Sequence, residues 1–351
     1  MSASSPPAFG DRLLSLDAFR GFTMLLLVSH GFGIHAAFRG QWTLADQFEH
    51  AAWVGCTLWD LIQPAFTFIV GVAMPLALGR RTAAWRHVAW RAVALVVLSN
   101  VLSNWGTSGA LKLQLINVLC QIAFSYVLCY LILQLPGRGQ VGAAGAILAL
   151  HHGLFFLFPG PAGPFDPQGN FAARVDLAVL GYNYSGHYTT LNFLGNGLTV
   201  LFGCWTGLLL QREGTRAGRL RTLVGVAAGA LAAGWALAPV VPLVKRLWTG
   251  SFLLFSTGWV LLAFAFFYWL VEMRGARRWT FPLVVVGANS IFIYSFSQVL
   301  RGWLSRGLAA FDGQQFAFWG PAGAVPHNVL VMAAMWGLCY WLYGRRIFIK
   351  I

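Results

Sequence analysis

A few ionisable side chains stand where the surrounding sequence is apolar, and they are the residues able to do chemistry. Asp17 and Arg20 lie three positions apart in "LSLDAFRGFTMLLLVSHG", so they share one face of a helix. His30 follows on the same run, roughly 20 Å further along at about 1.5 Å per residue. His50 comes just after Asp46 and Glu49, and Asp60 follows within the next apolar run. Histidine is the usual base near neutral pH, and its ring can also carry an acyl group. The chain leaves its first apolar run near Ala37 and returns near Trp53. His30 and His50 are therefore expected at one level, beside acidic residues. A continuous helix from Trp53 would hold Asp60 roughly 15 Å from His50. On that reading Asp60 is a midplane group facing a polar channel or a neighbouring helix, not a partner of His50. His30, His35 and His50 come without a paired carboxylate motif, so no metal site is expected.

The elements that position these residues follow from composition. Of 351 residues 58% are hydrophobic and only 10% are charged, with 16 Trp and 28 Phe. A soluble domain carries about a quarter charged residues, so a soluble enzyme and a disordered chain are both excluded. The net charge of +14 does not signal a nucleic-acid binder, because the basic residues sit between long apolar runs rather than on a polar face. The five cysteines form no CxxC pair and read as buried small hydrophobes. Ten apolar runs near the length of a membrane span occur: 13–37, 53–78, 88–106, 112–135, 141–158, 192–211, 220–242, 249–272, 281–300 and 325–344. The expected fold is an all-α polytopic transmembrane bundle of about ten spans, a single domain over 1–351, embedded in a lipid bilayer.

Arg12, Arg80, Arg81, Arg86 and Arg91, the arginines from 212 to 221, and Arg345 and Arg346 fall on one side of this bundle. The positive-inside rule makes that side cytoplasmic, with both termini on it. Asp46, Glu49, Asp166 and Asp176 fall on the other side. The connection 159–191, rich in Gly and Pro, is the longest outer segment, and a short helix is expected over Ala172–Leu180. Loops of that length usually have a job, and a lid over a substrate is a common one.

Four segments then resemble one family in the same order. They are "RLLSLDAFRGFTMLLLVSHG", "EHAAWVGCTLWDLIQPAFTFIVGVAMPLALGRR", "KRLWTGSFLLFSTGW" and "FPLVVVGANSIFIYSFSQ". The family is that of membrane acetyltransferases related to heparan-α-glucosaminide N-acetyltransferase, which includes bacterial proteins linked to N-acetylglucosamine use. The resemblance implies transfer of an acetyl group from cytosolic acetyl-CoA to the amine of an amino sugar across the membrane. A bacterial inner membrane is the implied location and a homodimer the implied assembly. It also implies that His50 is the catalytic histidine. The family's Asn in VNxG is replaced here, in Ser29–His30–Gly31, by His30, which is expected to orient His50 or hold the acyl carbonyl. The large luminal domain of the animal enzyme has no counterpart ahead of the spans, which points to a small amino sugar rather than heparan.

Within this reading Asp46, Glu49, Trp53, Asp60 and Asn289 are expected to meet the acceptor. Asp17, Arg20, Arg91, Trp248 and Ser251 are expected to meet the CoA, since guanidinium forks suit phosphate. A rival reading is a transporter of an amino sugar or its acetylated form, in which His50 is one gate residue among several.

Overall fold

The structure is a computed structural model and describes residues 13–78, 84–107, 111–184 and 186–349. Arg12, Arg80 and Arg81 lie outside the described residues. No strand occurs among the described residues, and fourteen α-helices follow one another. The first apolar run forms α1 (Leu14–Ser29) and, after a break, the short α2 (Ile34–Phe38). His30, Gly31, Phe32 and Gly33 at the break all take positive φ. The second run starts its helix late, as α3 (Ile62–Leu78). Pro64 falls in the first turn, where a missing N–H costs nothing.

Next come α4 (Ala84–Ser103), α5 (Val118–Leu133), α6 (Gly137–Leu157), α7 (Phe171–Leu180), α8 (Phe193–Gln211), α9 (Arg216–Leu237) and α10 (Gly250–Tyr268). The expected helix within the long outer connection is thus present as α7. The ninth run is split into α11 (Phe281–Ala288) and α12 (Ser290–Val299), bent by 65° at Asn289. Two further helices, α13 (Arg301–Phe316) and α14 (Ala324–Gly344), complete the chain.

Seven helices among the described residues are long and apolar enough to cross a membrane, or eight if the bent pair counts as one span. The protein is therefore an integral membrane protein, with fewer full-length apolar helices than the ten runs in its sequence. The difference has local causes. α5 is only 16 residues long, and α4 carries Arg86 and Arg91.

The bundle is knit by pairs: α9 along α10, α3 along α8, α1 along α11 and α4 along α5. Lipid gives little hydrophobic drive between helices, so close backbone approach matters. Gly71 and Gly203 supply it between α3 and α8: a Cβ at Gly71 would overlap the Val200 carbonyl and one at Gly203 the Phe68 carbonyl. Four apolar clusters fill the interior among the described residues. Tyr126, Trp248 and Phe252 centre one, Phe19, Phe68 and Phe264 a second, Met24, Val286 and Met335 a third, and Phe155, Val244 and Leu247 a fourth. The packing leaves two cavities lined in part by ionisable side chains.

Candidate active site

The stretch between His50 and the start of α3 is not helical. It turns through Gly55 at φ 130°, and a single turn of 3-10 helix, Trp59–Leu61, leads into α3. The chain folds around one carboxylate. Asp60 Oδ2 accepts the backbone N–H of Ala51 and of Thr57, each at 3.1 Å, and the Thr57 hydroxyl at 3.1 Å. Asp60 Oδ1 lies 2.7 Å from His50 Nδ1. This corrects the sequence expectation: Asp60 is the partner of His50, because the helix that would have separated them begins after the loop.

A third residue completes the group. Lys245 Nζ is 3.3 Å from Asp60 Oδ1 and 3.2 Å from His50 Nδ1. One ring nitrogen cannot donate to the carboxylate and accept from the ammonium at once. The carboxylate is the stronger acceptor, so His50 Nδ1–H and Lys245 Nζ–H both donate to Asp60. With the proton on Nδ1, the neutral ring has its free lone pair on Nε2, the form a base requires. Asp60 is 1% exposed and Lys245 7%, while the His50 ring is over a third exposed.

Lys245 is held by a loop braced through Thr249, whose hydroxyl donates to the Pro242 carbonyl at 2.7 Å and accepts the Val244 N–H at 3.0 Å. The His50 loop docks on it. Gly55 N–H donates to the Leu243 carbonyl at 2.8 Å, and the Arg246 guanidinium donates to the Ala52 carbonyl at 2.6 Å. Arg246 also lies over the Trp53 ring.

His50 and Lys245 line a cavity of about 360 Å³. Its other walls mix polar, aromatic and aliphatic side chains. A Gln63–Gln121 pair and a Ser99–Asn117 pair lie on the helices. Tyr184 and Tyr188 come from the long outer connection and line it too. A second cavity of about 500 Å³ opens at the end that carries Leu13 and Tyr343. It is mainly apolar, but Asp17, Arg20 and Arg91 line it. Arg20 and Asp17 form an ion pair at 3.3 Å, and Arg91 lies 4.8 Å over the Tyr126 ring. Tyr294 and Leu119 line both cavities, so the two spaces abut.

The remaining expected residues are placed elsewhere. His30 does not line the His50 cavity; it sits at the break after α1, with the Arg301 charge bearing on it. Gly31 at the break packs against Phe48, and no hydrogen bond joins the two histidines among the described residues. Asp46 is exposed and lies 3.6 Å from His35. Glu49 accepts the His50 backbone N–H at 3.1 Å and so shapes the loop. Trp53 donates from Nε1 to the Phe165 carbonyl at 2.9 Å, tying the outer connection down. Asn289 is fully buried and belongs to the other end, where its amide donates to the Ile347 carbonyl and accepts the Ile349 N–H, both at 3.0 Å. Trp248 and Ser251 line neither cavity. Trp248 is buried and donates to Thr199 at 3.0 Å, and buried Ser251 meets Thr249 at 3.3 Å. The segment "RLWTGSFLLF" is largely packed in the core.

Fold and site together define a polytopic helical membrane protein with a His–Asp–Lys group in one cavity and a basic, mostly apolar cavity behind it. The sequence model of the family described as "Heparan-alpha-glucosaminide N-acetyltransferase, catalytic" matches residues 12–220, and the chain belongs to that family. The human heparan-alpha-glucosaminide N-acetyltransferase is 25% identical over 98% of this chain and 60% of its own length. The mouse protein of the same name is 22% identical over 97% of this chain and 61% of its own length. The chain thus spans about 60% of the length of these curated relatives. Lys245 and Tyr294 lie beyond the matched segment.

Proposed function

We propose that this protein is an acyltransferase that moves an acetyl group from acetyl-CoA, entering by the cavity that Leu13 and Ile349 line, to the amine of an amino sugar held in the His50 cavity. The observation that carries this reading is the base at His50 lying in a chamber that abuts a basic cavity at Tyr294 and Leu119. The names of the human and mouse relatives support the acceptor class. In a bacterial inner membrane the acetyl-CoA side would be the cytoplasm.

Arg20 and Arg91 are placed to bind the CoA phosphates, and the apolar wall of their cavity suits the arm that carries the thioester. Gln63, Gln121, Asn117, Tyr184 and Tyr188 suit a sugar, which needs amides for its hydroxyls and rings for its apolar face. His50 Nε2 takes a proton from the amine as its nitrogen attacks the thioester carbonyl. The C–N bond forms and the C–S bond breaks. The proton on His50 then passes to the departing thiolate, giving CoA thiol and the amide. Lys245 offsets the Asp60 charge and helps hold the carboxylate against His50 Nδ1.

The test is purified protein in detergent with labelled acetyl-CoA and glucosamine. Labelled N-acetyl product is expected, and His50→Ala should lower its rate at least 10³-fold, within the range of about 10²–10⁴ for lost general-base catalysis. Sealed vesicles that accumulate the sugar without CoA, and protein that makes no product, would make the chain a transporter instead.

A further inference from the structure

Tyr294 and Leu119 are the side chains that line both cavities among the described residues. Each stands on firmly placed backbone. Leu119 is 4% exposed and lies in the first turn of α5. That turn is capped by Asn117, which accepts the Cys120 N–H at 3.0 Å and is bonded to Ser99 on α4. Tyr294 is half-buried and packs against two of the core clusters at once. Its helix, α12, starts from the bend at Asn289, and Asn289 is fixed by two hydrogen bonds to the segment after α14. A thioester moving from the Arg20 cavity to His50 along this shared wall would pass the Tyr294 ring and Leu119.

We propose that Tyr294 and Leu119 form an acyl filter: an aperture that admits a narrow, unbranched acyl group to His50 and rejects a branched one. This inference rests on the acyl-transfer reading above and adds a donor-specificity determinant to it. An aperture limits cross-section, whereas a closed chamber limits length, so the two are separable with isomeric donors. Interiors are close-packed and resist an extra methyl group, and one misfit carbon in a pocket discriminates by about 10–200-fold. The phenol ring rather than its hydroxyl is the barrier, since the ring gives the width. The transfer step is unchanged: the acyl C–S bond breaks, the C–N bond forms, and His50 carries the proton from nitrogen to sulfur.

The experiment compares acetyl-, butyryl- and isobutyryl-CoA on wild type, Tyr294→Ala, Leu119→Ala and Tyr294→Phe, with glucosamine as acceptor. Butyryl and isobutyryl have the same atoms, so their rate ratio within one variant cancels any loss of folded protein. The wild type should prefer butyryl over isobutyryl by about tenfold or more. Each alanine variant should bring that ratio to within about threefold, and Tyr294→Phe should keep the wild-type ratio. An active wild type that uses both isomers equally, or alanine variants that keep its preference, overturns the filter. A wild type that turns over none of the three donors sinks the acyl-transfer reading, and the filter with it.

Discussion

The chemistry concentrates in three side chains whose roles differ. Asp60 fixes the tautomer of His50 and offsets the charge of Lys245, and its second oxygen is spent on the loop backbone. Asp60→Asn removes the charge but keeps the size. The amide presents a donor to a ring nitrogen that needs an acceptor, so the productive tautomer is lost. A fall in kcat of about 10²–10⁴-fold is expected, with little change in the acceptor KM. Lys245 meets the same carboxylate oxygen as the ring. Lys245→Met leaves the buried Asp60 charge with one partner fewer. A fall in kcat of at least about tenfold is expected, with little change in either KM, and a kcat at the wild-type level would remove Lys245 from the mechanism.

At the scale of elements, the outer connection is built as part of the site. α7 is tied to the start of α8 through Asp176, which is 2% exposed and accepts the Thr190 N–H at 3.0 Å. Burial pushes the Asp176 carboxyl above its ordinary range, and the bond from Thr190 only partly offsets this. A carboxyl raised in the folded state adds stability when protonated, and that stability is lost as pH rises through its folded value. At neutral pH the buried charge is therefore a net cost. Asp176→Asn keeps an acceptor for Thr190 without the charge. Its thermal midpoint at pH 7 should rise by about 2 °C, the shift that about 1 kcal/mol produces in a large domain. The gain should vanish at pH 3. Tyr184 and Tyr188 lie on the segment this helix anchors, so the variant also reports on how firmly that wall of the cavity is held.

For the whole molecule, the decisive property is that the His50 cavity and the Arg20 cavity abut at Tyr294 and Leu119. Charge is divided between them, with Arg20 and Arg91 on one cavity and the His–Asp–Lys group on the other. Arg20→Gln should raise the KM for acetyl-CoA about tenfold, as loss of a charge-assisted phosphate contact of about 1.5 kcal/mol would. The KM for glucosamine should not change. Steady-state kinetics against each substrate separates the two, and a rise confined to the sugar would reverse the assignment of the cavities.

Much of this was legible in the chain itself. Long apolar runs and sparse charge fix an all-helical membrane protein, because unpaired backbone groups are not tolerated in lipid. Asp17 and Arg20 read as a pair at helical spacing and are one. Ala172–Leu180 read as a helix and lies within α7. The link between His50 and Asp60 was not legible from spacing, since ten residues of helix and ten residues of loop have the same length in sequence. Gly55 and Pro64 were the available signals that the helix begins late. Lys245 gave no signal: nearly two hundred positions separate it from His50, and only the docking of two loops, through Gly55 and Arg246, brings them together. Trp248 and Asn289 show the converse. Their residue types suit binding, but packing put one in the core and the other against the segment after α14. Sequence thus determines that the chain is a helical membrane protein, because composition sets the transfer energy of its apolar runs. Which polar groups meet inside is decided by tertiary structure, because that depends on where each helix starts and which loops dock.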